Sequence, residues 1–236
     1  MARLSKSISL SLRVLSRLLA YPDAELRRHL PELKDALHSD NAVAPSRLAE
    51  LDALIEALSA ADGLDVEAAY VELFDRGRST SLHLFEHVHG DSRERGPAMI
   101  DLAQTYESAG LALAAGELPD YLPAVLEFVS TQPPREARAF LGEMAHIFNA
   151  LFGALQQRQS AYASAIGALL ELAGEKAQAV NVAADESLDE SWMEPPVFDG
   201  CSSRGQGRPE HQNSHANSQP QPIHIVRKDA VKGAAA

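Results

Sequence analysis

Cysteine is almost absent from this sequence: Cys201 stands alone among 236 residues. No intrachain disulfide can form, so nothing demands an oxidising compartment. One thiol also cannot build a zinc or iron–sulfur site without several histidines beside it. Positive charge is scarce as well. Lys and Arg number 21 against 33 Asp and Glu, for a formal net charge of -12. A general nucleic-acid binder needs a basic face, so that class is disfavoured. The acidity suits either plain solubility or attraction of a basic partner segment. Long apolar runs are missing too. None approaches the roughly 20 residues that span a bilayer, so no direct membrane insertion is expected and a cytoplasmic location is. The catalytic motifs are equally thin. There is no G-x-x-x-x-G-K-[ST] phosphate loop and no G-x-S-x-G nucleophile elbow. No segment before residue 180 sustains the strand-like alternation of apolar and polar residues.

What remains is helical periodicity. Ile8, Leu12, Leu15 and Leu19 recur at helical spacing and end at Tyr21-Pro22-Asp23. Met1 to Ala20 is Ser- and Arg-rich without acids, the composition of a transit peptide, but the spacing favours a first core helix. Leu26, Leu30, Leu33 and Leu37 follow, with Pro31 starting a new turn. Leu48, Leu51, Ile55 and Leu58 follow Pro45-Ser46, and Val66, Tyr70, Leu73 and Phe74 come next. Met99, Leu102, Tyr106, Ala109 and Leu113 predict one longer helix. Phe140, Met144, Ile147, Phe148, Leu151 and Leu155 predict another, and Ile166, Leu169, Leu170 and Ala173 the last. The expected fold is all-α: one helical-bundle domain over 1–182. Residues 183–236 are expected to form a flexible tail, first acidic, then rich in Gly, Ser, Gln and Pro, too polar to offset its ordering entropy. Two apolar islands break it, Trp192 to Phe198 and Ile223 to Val226.

Two clusters carry candidate chemistry. The first runs from Tyr70 to Arg78 and on from Ser81 to Gly90. Within it, His83-Leu84-Phe85-Glu86-His87 fits the H-x-x-E-H pattern of inverted zinc proteases. On a helix, His83 and His87 would share a face, with Glu86 as general base. A third ligand is missing, because His89 lies too near in sequence and no later motif supplies a carboxylate. The alternative is a helix end carrying semi-buried histidines. The second cluster runs from Glu117 to Phe128. Pro119 ends one segment, Asp120 can cap a new helix, and Pro123 suits a first turn.

Together these clusters resemble the NarJ-type nitrate reductase assembly chaperones of the TorD/DmsD superfamily. The Tyr70 to Gly90 segment, continued through Asp91 to Gly96 and Ala98 to Leu102, looks like the signature of that type. Glu117 to Phe128 is similar to the superfamily's E…P-D-[HY]…L-x-F motif, with Tyr121 where many members carry His. Trp192 to Phe198 is similar to a C-terminal pattern of NarJ proteins. The resemblance implies an α-helical bundle, not an enzyme and without a cofactor of its own. It implies binding of the N-terminal segment of the apo catalytic subunit of respiratory nitrate reductase. That subunit would be held for molybdenum cofactor insertion while membrane docking is delayed, and cofactor delivery proteins are further candidate partners. Residues expected in or behind a peptide-binding groove are Tyr70, Phe74, Leu84, Phe85 and Tyr106, with Asp120 and Tyr121 from the second motif. Arg76, Arg78, Glu86 and His87 are the polar candidates. Each large apolar residue among them could equally be core.

Overall fold

The computed structural model describes residues 8–90 and 92–178. The chain divides into two units, Met1–Ser191 and Trp192–Ala236. All described residues belong to the first unit. The tail expected from residue 183, with Cys201 and both apolar islands, lies outside them.

The described residues form eleven α-helices and one 3-10 turn. They are α1 (Ser9–Leu19), α2 (Ala24–Arg28), α3 (Leu30–Asp40), α4 (Pro45–Ala60), α5 (Gly63–Phe74), the 3-10 turn (Arg78–Thr80), α6 (Leu84–Val88), α7 (Arg95–Ser108), α8 (Leu122–Thr131), α9 (Pro134–Glu143), α10 (Ala145–Gln157) and α11 (Ala163–Ala173). Local chemistry accounts for many boundaries. Asp23 accepts the Leu26 N–H at 2.7 Å to start α2, and Asp62 accepts the Leu64 N–H at 3.0 Å to start α5. Pro31, Pro45 and Pro134 sit in first turns, where a missing N–H costs nothing. Gly174, at φ +86°, closes α11 in the left-handed conformation that a Cβ would penalise.

α1 lies at the centre. It packs on α3, α8 and α11, and Leu12, Leu15, Leu18 and Leu19 are fully buried. Its serines tie it in place. Ser16 Oγ donates to the Pro123 carbonyl at 2.8 Å, and the Ser11 N–H and hydroxyl both reach the Asp40 carboxylate. Ser9–Leu19 of that Ser- and Arg-rich stretch are thus a core helix with buried polar anchors. Phe148, Leu151, Leu155, Ile166 and Leu169 complete the interior from α10 and α11.

Two helices differ from the periodic reading. The stripe from Met99 to Leu113 does not make one helix: α7 stops at Ser108, Gly110 turns the chain at φ +78°, and Leu111 and Leu113 pack on the core from a loop. The stripe from Phe140 to Leu155 is divided at Met144 between α9 and α10. No strand occurs among the described residues; the one β feature among them is an isolated antiparallel bridge, His83 with Tyr121.

Candidate functional site

That bridge joins the two clusters singled out in the sequence. The Leu84 N–H donates to the Asp120 carbonyl at 3.0 Å, and the Leu122 N–H donates to the Leu82 carbonyl at 2.8 Å. Asp120 was expected to cap α8. Tyr121 occupies that N-cap instead, without a side-chain cap. The Asp120 side chain turns to α6, where its Oδ2 accepts the Phe85 N–H at 3.1 Å and its Oδ1 lies 3.2 Å from His83 Nδ1. The carboxylate is fully buried, and Arg95 Nη2 stands 3.9 Å away. A buried anion at a helix N-terminus, flanked by an imidazole and a guanidinium, is well compensated.

Tyr121 leads from this junction to a groove. Its hydroxyl lies 3.1 Å from the Tyr70 hydroxyl, and Tyr70 donates to the Leu19 carbonyl at 2.8 Å. Tyr70 has spent its one proton, so Tyr121 is the donor between the pair. Tyr70 packs against Phe74 at 4.7 Å and Tyr162 at 6.0 Å between ring centroids. Burial pushes the phenols of Tyr70, Tyr121 and Tyr162 up, so all three remain neutral. Among the described residues, the buried Tyr162 hydroxyl finds no hydrogen-bond partner.

The groove holds about 790 Å³ between α4, α5 and the loop that leads into α11. Leu54, Leu58, Val66, Tyr70 and Leu73 supply apolar wall, with Ala57, Ala61, Ala69 and Ala161 leaving room above them. Charge sits at the edge, in Asp65, Glu72, Arg76 and Arg158. Arg158 donates to the Leu73 carbonyl at 3.3 Å and to Thr80 Oγ1 at 3.0 Å, fixing the loop to the C-terminal end of α5. A smaller, polar recess of about 380 Å³ adjoins it, sharing Arg76 and lined also by Phe74, Arg78, His83, Glu86 and Arg95.

The expected site residues therefore separate. Tyr70 and Arg76 line the groove, Phe74 and Tyr121 stand behind Tyr70, and Arg78 and Glu86 line the polar recess. Arg76 is exposed and pairs with Glu72 at 2.8 Å, while Glu86 is 3.5 Å from Arg95. Leu84 is buried and Phe85 is partly buried, with its ring edge-on to His89 at 5.2 Å. Tyr106 is elsewhere: its hydroxyl donates to the Pro119 carbonyl at 2.7 Å, and it lines a separate recess with Arg13, Arg17 and Phe128. Sequence reading took Leu58, Val66 and Leu73 only as core, and gave no role to Ala69, Arg158 or Tyr162. The first three sit on readable helical stripes, whereas no local pattern brings Arg158 and Tyr162 to α5.

The zinc reading meets an obstacle in the same geometry. His83 precedes α6 as its N-cap, so the two imidazoles do not stand one turn apart on a helix. His87 Nε2 lies 2.8 Å from the Ser81 carbonyl and must carry the proton there, while His83 Nδ1 is committed to Asp120. Among the described residues, no three His, Cys, Asp or Glu side chains gather as a metal site. The hydrogen bond to Asp120 raises the His83 pKa above its ordinary value; burial opposes this, and the Asp120 charge reinforces it.

The helical fold itself defines a class that is known structurally. A protein from Archaeoglobus fulgidus described as a redox enzyme maturation protein shares the fold, with a TM-score of 0.54 over 74% of this chain and 99% of its own, at 18% identity. The sequence narrows the class. Residues 20–167 match the family described as nitrate reductase delta subunit. The nitrate reductase molybdenum cofactor assembly chaperone NarJ of Escherichia coli K12 is 44% identical over 185 residues, 77% of this chain and 78% of that one. NarW of the same organism, to which the same assembly role is ascribed, is 38% identical over 207 residues, covering 79% and 82%. The chain belongs to this family, the NarJ-type nitrate reductase molybdenum cofactor assembly chaperones. These relatives are named for assembling an enzyme, which places the chain among assembly factors and not among catalysts. No helix among the described residues is long and apolar enough to cross a membrane.

Proposed function

We propose that this chain binds the N-terminal segment of the apo catalytic subunit of respiratory nitrate reductase in the groove between α4 and α5. It keeps that subunit competent for molybdenum cofactor insertion, delays its docking at the membrane, and leaves before the enzyme is mature. The work is done in the cytoplasm, where cofactor delivery proteins are the natural second partners. The observation that carries the reading is the groove itself: about 790 Å³, apolar at its base, charged at its edge. An amphipathic helix laid along such a groove buries one apolar face and leaves its polar face in water. Each large aliphatic side chain so buried contributes about 1.5–3 kcal/mol. Folding the segment costs part of that, so binding is reversible and the client can be handed on.

The test is a calorimetric titration with the synthetic N-terminal peptide of the cognate catalytic subunit, using the full chain and Ala69→Arg. Ala69 is exposed on the groove wall, so the substitution fills the groove without disturbing the core. Affinity should fall at least tenfold at an unchanged melting temperature. Equal affinity for the two proteins, or no binding to either, sinks the reading.

A further inference from the structure

All five tyrosines lie among the described residues, and four of their hydroxyls have partners. Tyr21 donates to Glu67 at 2.9 Å, Tyr70 to the Leu19 carbonyl at 2.8 Å, and Tyr106 to the Pro119 carbonyl at 2.7 Å. Tyr121 donates to the Tyr70 oxygen at 3.1 Å. Tyr162 is the exception. It is 8% exposed, and its hydroxyl is sealed from solvent with no partner among the described residues. Two buried nitrogens there share that condition, Nε of Arg27 and Nε of Arg47, but neither residue lines the groove between α4 and α5. Tyr162 does line it.

A buried hydroxyl with its hydrogen bond unmade is a net loss to the folded chain. Ring contacts do not account for it. Tyr162 meets Phe74 edge-on at 5.0 Å and Tyr70 at 6.0 Å between ring centroids, and a phenylalanine would keep both contacts. Local rules of this kind are broken chiefly where function requires it. The position of the residue lets a ligand complete it. Tyr162 is the N-cap of α11 but makes no side-chain cap there, and Ala57, Ala61, Ala69 and Ala161 leave space in the groove for the phenol to turn into.

We infer that the Tyr162 hydroxyl is a hydrogen-bond donor kept for the client: as the client helix docks, the phenol turns into the groove and donates to an uncharged side-chain oxygen on that helix's apolar face. Burial raises the phenol's pKa, so it brings a proton without bringing charge. A hydroxyl or amide oxygen suits the apolar floor, where an ionised carboxylate would lose far more hydration. The preferred client is therefore not uniformly apolar on its buried face. A segment lacking that one oxygen leaves the hydroxyl unmatched and is discriminated against. This inference rests on the reading of the groove as the client site.

The experiment is calorimetry on the full chain, Tyr162→Phe and Ala69→Arg. Each is titrated with the same synthetic peptide and with a set in which every hydroxyl or amide side chain is replaced in turn by alanine. Tyr162→Phe should bind the parent peptide about three- to tenfold more weakly, at a melting temperature equal to or above that of the unaltered chain. One peptide of the set should bind the unaltered chain more weakly by the same factor, and Tyr162→Phe should lose nothing further against it. Equal affinity of Tyr162→Phe and the unaltered chain overturns the inference, while the groove reading stands if Ala69→Arg still weakens binding. A lower melting temperature, or a loss coupled to no peptide of the set, assigns the hydroxyl to structure and overturns the inference as well. No binding to the unaltered chain, or undiminished binding to Ala69→Arg, removes the groove reading and the inference together.

Discussion

The Asp120 carboxylate caps a helix 35 residues earlier in the chain, accepting the Phe85 N–H at 3.1 Å from a fully buried position. The same residue's carbonyl accepts the next N–H back, that of Leu84. One residue thereby fixes the start of α6 and the entry to α8.

Asp120→Ala should be among the most damaging substitutions in the domain. It strands the Phe85 N–H, removes the partner of His83, and leaves Arg95 with Glu86 alone. Breaking a buried charged network by deleting one member costs about 3–5 kcal/mol. Chemical denaturation of Asp120→Ala beside the parent chain measures it; a loss under about 1 kcal/mol would contradict the buried network.

His83 gives this junction a dependence on pH. Its folded pKa is raised, chiefly by the hydrogen bond to Asp120, with Glu86 assisting and Arg95 opposing. A raised folded value means that the stabilisation is complete below the unfolded pKa of about 6.5 and is lost as pH rises through the folded value. His83→Gln should therefore flatten the fall in denaturation midpoint on the alkaline side of about pH 6.5. An undiminished slope in the variant would assign the dependence to another group.

Two buried tyrosines should respond oppositely to loss of the hydroxyl. Tyr70 serves the Leu19 carbonyl and Tyr121, so Tyr70→Phe should cost about 1–2 kcal/mol. The buried Tyr162 hydroxyl has no partner among the described residues, so Tyr162→Phe should be neutral or stabilising by about 1 kcal/mol. Urea midpoints of the two variants measured side by side check the contrast.

Zinc should be dispensable. His87 and His83 direct ring nitrogens at Ser81 and Asp120, so elemental analysis of the purified chain should find zinc well below stoichiometric. Exhaustive chelation should leave the melting temperature and peptide affinity unchanged. A metal content of one per chain, lost in His83→Ala, would restore the hydrolase reading.

Much of this architecture is legible in the chain because local chemistry specifies it. Pro31 and Pro45 begin helices, and Leu12, Leu15 and Leu19 fall on one buried face. The signals fail where a residue's partner is remote. Asp120 reads correctly as a capping residue, but nothing local says that the nearest open helix terminus in space belongs to Leu84. Tyr106 shares a stripe with Leu102, yet spacing reports a face of a helix and not which recess that face borders. Arg158 and Tyr162 join the groove only because α10 and α11 return beside α5. Leu113 extends the α7 stripe in register, but Gly110 takes the chain into a left-handed turn first. The family resemblance located both motifs, but not the groove wall opposite them.

The central seat of α1 bears on how this domain is made. Within the described domain α1 is translated before α3, α8 and α11, against which it packs, and α11 is the last of these helices to be made. The α1 leucines therefore have no complete set of neighbours until translation has passed Ala173. Competence should arrive in one late step, because domains generally fold as units. Nascent chains stalled short of α11 should stay sensitive to protease along their whole length, and those stalled well beyond it should resist.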